Sequence, residues 1–383
     1  MPIETVKGFR DIEDASKRNQ VKNIIENLFK LYGFIPVETP IIEYEDFVVG
    51  DNVKDEAVSE RFKLQDRGKR KLALRYEFTF QLKRLAKNKK LPYKIYQVGS
   101  VFRDEPVSSN RWRQFTQCDA DIIGADLNSV GEILKLSSEI LGKLNINFNL
   151  NINSRKLLNE ILDKNGIKES YREDVIRELD KLDKISEKEV RENLKKYGAE
   201  KILSIFKKQE DYFEMYESYN DIKDLKELCK LYEVKVNFQP FLARGLSYYN
   251  WIVFEIKSDI KETITAGGSY LVNGIQATGI SFGLDRLELL AKIDNNLKRV
   301  LVVSLGQDKK AIGLTRKVRE MGISCEIFYG KPGKALSYAD SKEIDFVIFV
   351  GDDEVKKGKF KVKNMKTGDE RMVGEGVLGK VLG

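Results

Sequence analysis

The hydrophobic pattern of this chain changes period several times, and that succession restricts its architecture more than any composition figure does. Residues 14–32 carry Val21, Ile24, Ile25, Leu28 and Leu31 at helical spacing, with Gly33 where a C-cap belongs. Short β-rich runs follow at Leu72–Leu74, Ile95–Phe102 and Phe115–Ile123. The first 150 residues therefore read as a helix beside a mostly antiparallel sheet. From 154 to about 232 the chain turns to Lys/Glu/Leu-rich helices, where Ser186 and Glu189 fit a capping box and Gly166 and Gly198 close helices. Strand signals return at 234–256, Gly-rich turns at 267–283 and a helix near 285. A helical block inserted into a β-rich domain is what this order implies. Beyond 299 the alternation differs: Val300–Ser304, a helix at 308–321, Cys325–Phe328, a helix at 334–343, Phe346–Val350 and a hairpin at 360–373. Strand–helix alternation of this kind implies a small open α/β sheet with parallel strands. The class is α+β. The division expected is a core at 1–152, a helical insertion at 153–235, the core continued at 236–298 and a terminal α/β domain at 299–383.

None of the 383 residues is histidine. That excludes Ser-His-Asp and Cys-His triads, His-ligated zinc and imidazole proton shuttles. Cys118, Cys229 and Cys325 lie far apart without a C-x-x-C pair, so neither a disulfide framework nor a thiolate metal cage is indicated, and no metal site built on protein His or Cys is expected. Chemistry is left to carboxylates, Arg, Lys, Tyr, a substrate group or an oxygen-bound metal such as Mg²⁺. The net charge of +7 is uneven, because residues 299–383 hold 17 Lys/Arg against 12 Asp/Glu. A basic terminal module suits a polyanionic partner, and it equally suits a solubilising surface. No apolar run approaches the ~18 residues of a membrane span. The N-terminal MPIETVKGFRD lacks a signal-peptide layout, so a cytoplasmic location is expected.

Four stretches carry chemistry. If Arg111–Asp121 is one strand, period two puts Arg111, Arg113, Phe115, Gln117, Asp119 and Asp121 on one face. Such a row is costly unless ligands or mutual pairing satisfy it; a hairpin with a solvated polar face is the other reading. The upstream strand adds Arg103 and Glu105, with Pro106–Asn110 as the loop. In Leu242–Tyr249 an Arg244-Gly245 pair at a turn lets a guanidinium project beside closely approaching backbone, and Tyr249 offers a hydroxyl. In Thr265–Tyr270 paired glycines permit close ligand approach. In Gly279–Leu287 a strand turns into a helix with Arg286 in its first turn, where phosphate is well placed.

Together these motifs identify the chain as similar to class II aminoacyl-tRNA synthetases, specifically histidyl-tRNA synthetases of the archaeal and eukaryotic type. Phe102-Arg103-Asp104-Glu105 and Phe115–Ile122 resemble motif 2, Gly279–Leu287 motif 3, and Gly33-Phe34 through Thr39-Pro40 motif 1. Leu242–Tyr249 and Ala266–Tyr270 resemble the two histidine-specific motifs, and the likeness runs from Lys7 to Gly368. The resemblance implies an antiparallel-sheet catalytic core, a helical insertion and a C-terminal α/β anticodon-binding domain. It implies attack of the histidine carboxylate on the ATP α-phosphate, then transfer of the acyl group to tRNA(His). Arg103 and Arg244 would flank the α-phosphate as catalytic residues, and Arg286 would hold the γ-phosphate. Glu105 would read the adenine amino group, Phe115 would stack on its ring, and Arg113 would join the ATP side. Glu77, Thr79 and Gln117 would hold the substrate amino group, Asp121 and Tyr249 would contact the imidazole and Tyr270 would close the pocket, with Arg103, Arg244 and Tyr248 also among the histidine-binding residues. L-histidine, ATP with Mg²⁺ and tRNA(His) are the implied ligands, and a homodimer the implied assembly.

The sequence departs from the family at four places. Tyr76 stands where Pro is usual; Ser247 replaces Asp and Ser269 replaces Arg, each removing charge near the pocket rim. The terminal module is shorter by about one helical turn at Lys334–Ala339. The competing reading is a histidine-binding regulatory paralogue that does not charge tRNA.

Overall fold

The computed structural model describes residues 3–50, 56–108, 111–183, 185–243, 248–260, 263–293 and 298–382. They fall into two compact units, Met1–Ile293 and Asp294–Gly383. In the first, the strands are β1 (Ile35–Pro36), β2 (Ile42–Tyr44), β3 (Lys63–Gln65), β4 (Lys71–Leu74), β5 (Tyr93–Phe102), β6 (Gln114–Ile123), β7 (Asn149–Ser154), β8 (Asn237–Phe238), β9 (Tyr249–Lys257), β10 (Thr265–Val272) and β11 (Ile275–Gly283). Eight of them form one sheet in the order β1-β5-β6-β11-β10-β9-β7-β8, and β2-β4-β3 form a small separate one. Pairing in the large sheet is antiparallel except at its two ends, where β1 with β5 and β7 with β8 run parallel.

Period two then sorts the side chains of the sheet. Cys118, Ala120 and Ile122 of β6 point to a face packed with Val21, Ile25, Leu28 and Phe29 of the helix Ser16–Leu31 and with the helix Leu127–Lys143. Gln117, Asp119 and Asp121 point to the opposite face. The first helix stops where Gly33 takes φ of 79°, a conformation that glycine adopts without a Cβ penalty. The helices Arg155–Lys164, Glu169–Asp180, Glu187–Lys195 and Asn220–Leu231 contribute to the same apolar cluster as the back of the sheet. Ser186 and Glu189 make both hydrogen bonds of the expected capping box, and Gly166 and Gly198 have φ of 74° and 66°.

Two expectations are corrected. The segment 267–283 is not a series of Gly-rich turns but the hairpin β10–β11, with its turn at Asn273-Gly274. Its glycines serve strand packing: a Cβ on Gly267 would fall on the Gly279 carbonyl and the Phe254 ring. The row Arg111–Asp121 is also not one strand. β5 ends at Phe102 and β6 starts at Gln114, so Arg103, Glu105, Arg111 and Arg113 lie in the connection. Within that connection Arg111 and Arg113 pair with Glu105 and Asp104 at 3.2 and 3.1 Å.

The second unit contains β12 (Arg299–Ser304), β13 (Ser324–Tyr329), β14 (Phe346–Val350), β15 (Lys359–Asn364) and β16 (Glu370–Gly374), in the order β13-β12-β14-β15-β16. The first three are parallel and the last two antiparallel. One face carries Ala311, Leu314 and Val318 of the helix Asp308–Glu320 with Leu378 and Leu382; the other carries Ala335 and Ala339 of the helix Pro332–Ser341. Lys334–Ala339 lie inside that last helix, which begins with Pro332 at its first turn.

Candidate active site

The open face of the large sheet holds a row of polar side chains set by strand register. Gln97 of β5 and Ser281 of β11 both lie opposite Asp119 of β6, and Ile95 and Gly279 both lie opposite Asp121. Ser281 Oγ donates to Asp119 Oδ1 at 2.6 Å, and Gln117 Nε2 donates to Ser281 Oγ at 2.8 Å. Tyr270 donates its hydroxyl to the Asp121 carboxylate. A Cβ on Gly279 would collide with that carboxylate, which accounts for glycine there. Glu77, buried just beyond β4, accepts the Tyr248 hydroxyl at 3.4 Å, and the Thr79 side chain also hydrogen-bonds Tyr248. Tyr248, Tyr249 and Tyr270 pack with ring centroids 4.8 to 6.5 Å apart. The fold thus brings together Glu77, Thr79, Gln117, Asp121, Tyr248, Tyr249 and Tyr270. To these it adds Asp119, Ser281 and Gln97, which the motifs do not mark as ligand contacts.

Three buried carboxylates in one pocket are electrostatically expensive. Burial pushes Asp121 up to about 7, opposed by the Tyr270 hydrogen bond. Burial first, and then neighbouring Asp121, push Asp119 well above the usual carboxylate range. The pocket therefore retains protons that an unfolded chain, with carboxyls near ~3.9, would release. Between pH ~4 and about 7 the folded state binds more protons, so raising pH through that window costs stability. Melting curves across it should show a downward slope that Asp121→Asn makes shallower. An unchanged slope would remove Asp121 as its source.

Next to this pocket, Arg103 donates Nε to the Tyr76 carbonyl at 3.2 Å and lies 5.2 Å from the centre of the Phe115 ring. Its charge also reaches Asp119. Glu105 is buried and paired with Arg111, while Arg113 is held by Asp104 and by the Glu105 carbonyl. Arg286, in the helix Leu284–Leu290, donates to the Thr263 carbonyl at 2.6 Å. Its neighbour Asp285 accepts from Arg10, Arg18 and the Thr116 backbone N–H. Arg18 is a partner that no local pattern announces, being 267 residues away. Tyr76 fills the core beside Phe80, with ring centroids 5.7 Å apart. Ser269 is wholly buried, and its hydroxyl has no partner among the described residues, so it does not sit on a pocket rim. Arg244 and Ser247 lie outside the described residues.

Comparison with known families decides the assignment. The family profile for histidyl-tRNA synthetase matches residues 8–287, and that for the anticodon binding domain matches residues 299–382. The chain belongs to the histidyl-tRNA synthetase family. Histidine–tRNA ligase 2 of Shouchella clausii is 34% identical over 97% of this chain and 98% of the relative. Histidine–tRNA ligase 1 of Bacillus cereus is 31% identical over 97% of each. The crystal structure of histidyl-tRNA synthetase from Nostoc sp. PCC 7120 superposes with a TM-score of 0.86 at 23% identity, covering 100% of this chain and 99% of that one. An ATP phosphoribosyltransferase regulatory subunit/histidyl-tRNA synthetase from Bacillus halodurans shares the fold with a TM-score of 0.74 at 22% identity, over 91% and 98% of the two chains. These relatives are bacterial, and the archaeal and eukaryotic type expected from the motifs finds no support among them. In this family member the large sheet with its helical back is the α+β class II core, and the second unit is the anticodon-binding domain. Among the described residues no acidic or thiol cluster is arranged to hold a metal ion, and no helix is long and apolar enough to cross a membrane.

Proposed function

We propose that this chain attaches L-histidine to tRNA(His) through a histidyl-adenylate formed with ATP. The observation that supports this most is the pocket of Glu77, Asp119, Asp121 and three tyrosines beside Arg103 and Phe115. Its buried carboxylates fit a small ligand that carries N–H donors at two ends, which an α-ammonium and an imidazole provide. The substrate carboxylate, directed toward Arg103, then attacks the α-phosphate, a new O–P bond forms and pyrophosphate leaves. Charge grows on phosphate oxygens during that step, and Arg103, Arg244 and Arg286 are the cations assigned to it. Phe115 and Glu105 are assigned to adenine. Mg²⁺ enters with the ATP phosphates as part of the substrate and neutralises their charge.

The core at 1–152 and 236–298 would carry both steps, with 153–235 as its insertion and 299–383 reading the anticodon. A homodimer is supported by exposed Ile35, Ile41, Ile42, Tyr44 and Leu64 on and around β1, β2 and β3, an apolar surface that a second copy would cover. A cytoplasmic location follows from where tRNA and ATP are used together. The test is ATP–pyrophosphate exchange with each amino acid in turn, followed by acylation of tRNA(His). Exchange that depends on histidine alone, with acylation, is expected. Histidine binding without exchange would select the regulatory paralogue instead.

A further inference from the structure

We propose that Asp119 and Ser281 form a relay that fixes the Gln117 amide with its oxygen toward the bound α-ammonium, making both of them positioning residues for histidine capture, an inference that rests on the functional reading above. Ser281 has a single hydroxyl proton and two neighbours, Asp119 Oδ1 at 2.6 Å and the Gln117 amide at 2.8 Å. A ligand ammonium beside Asp119 holds it ionised, and an ionised carboxylate only accepts, so in the loaded pocket the proton of Ser281 goes to Asp119. The Ser281 oxygen can then only accept, and the end of the amide beside it must be the NH₂ group.

Gln117 Oε1 is thereby turned away from Ser281. It is buried and has no hydrogen-bond partner among the described residues. A buried acceptor left in this way costs stability unless a ligand donor meets it. The residues opposite Gln117 on the neighbouring strands are Gly99 and Gly283, so neither strand contributes a side chain from those positions to cover it. The strand carrying Ser281 is itself pinned, since Thr265 Oγ1 donates to the Ser281 carbonyl at 2.6 Å.

The relay also has a reversed state. Without that ammonium, burial and Asp121 favour a protonated Asp119, which can donate to Ser281, whose own hydroxyl then donates to the amide oxygen. The amide would then rotate and present NH₂ to an ammonium, donor against donor. The groups that set the charge of Asp119 are Asp121 beside it, Glu77, Arg75 and Arg103. A ligand ammonium adds positive charge and holds Asp119 ionised, so binding and amide orientation support each other.

The test uses the full chain and compares histidine with its desamino analogue, imidazole-propionic acid, by calorimetry at pH 7.5 and by exchange kinetics. Ser281→Ala should weaken histidine binding by about tenfold or more, leave the KM for ATP unchanged, and leave the weaker analogue unaffected. In a Gln117→Glu background both oxygens accept, and Ser281→Ala should change histidine affinity by less than about threefold. Asp119→Asn should repeat this pattern, and Ser281→Ala alone decides the matter if that variant does not fold. Equal losses for histidine and the analogue, or equal losses in both backgrounds, would overturn the relay. So would unchanged histidine affinity in Ser281→Ala, while the functional reading would stand. No histidine binding by the unaltered chain would overturn that reading and the relay with it.

Discussion

Arg103→Ala is expected to slow histidine-dependent exchange by about two to three orders of magnitude, the usual loss when one preorganised charge partner of a transition state is removed. The guanidinium is held on two sides, by the Tyr76 carbonyl at 3.2 Å and by the Phe115 ring at 5.2 Å, so it is placed before substrate arrives. Arg103→Lys should recover little of the loss. An ammonium cannot donate through Nε while stacking as a plane, and it offers no bidentate fork to phosphate. The fall should appear mainly in kcat, because the charge it matches develops during the reaction. A loss smaller than about tenfold, in protein with an unchanged melting temperature, would remove Arg103 from the chemistry.

Ending the chain at Ile293 is expected to abolish measurable acylation of tRNA(His) while retaining histidine-dependent exchange. The two units have separate apolar cores: Val300, Val302, Leu314, Val318 and Leu378 pack with one another, apart from the cluster behind the large sheet. The truncated chain should therefore stay folded, and its pocket residues all precede the cut. Residues 299–383 hold 17 of the basic side chains, so the fall of tRNA affinity with salt should also become shallower, since fewer phosphate contacts release fewer counterions. Acylation at the full-length rate by the shortened chain would refute a tRNA-binding role for this unit.

Much of the molecule is legible in its sequence because the relevant physics is local. The helix Ser16–Leu31 follows from apolar spacing and Gly33, the capping box at Ser186 from two residues three apart, and the terminal unit from strand–helix alternation. The absence of histidine by itself excludes whole classes of mechanism. Period two alone also places Gln117, Asp119 and Asp121 on one face. The tertiary structure decided what depends on distant neighbours. Gly267 and Gly279 lie in paired strands and not in turns, and they are glycine because the Phe254 ring and the Asp121 carboxylate occupy the space a Cβ would need. Arg111 and Arg113 precede β6 and pair with Glu105 and Asp104, contacts that period two along a single strand does not place. Asp285 is clamped by Arg18 from the first helix, a contact with no trace in local spacing. The protonation of Asp119 and Asp121 was decided at the same level, since a carboxyl's affinity for its proton depends on how much water and how much like charge the fold leaves around it.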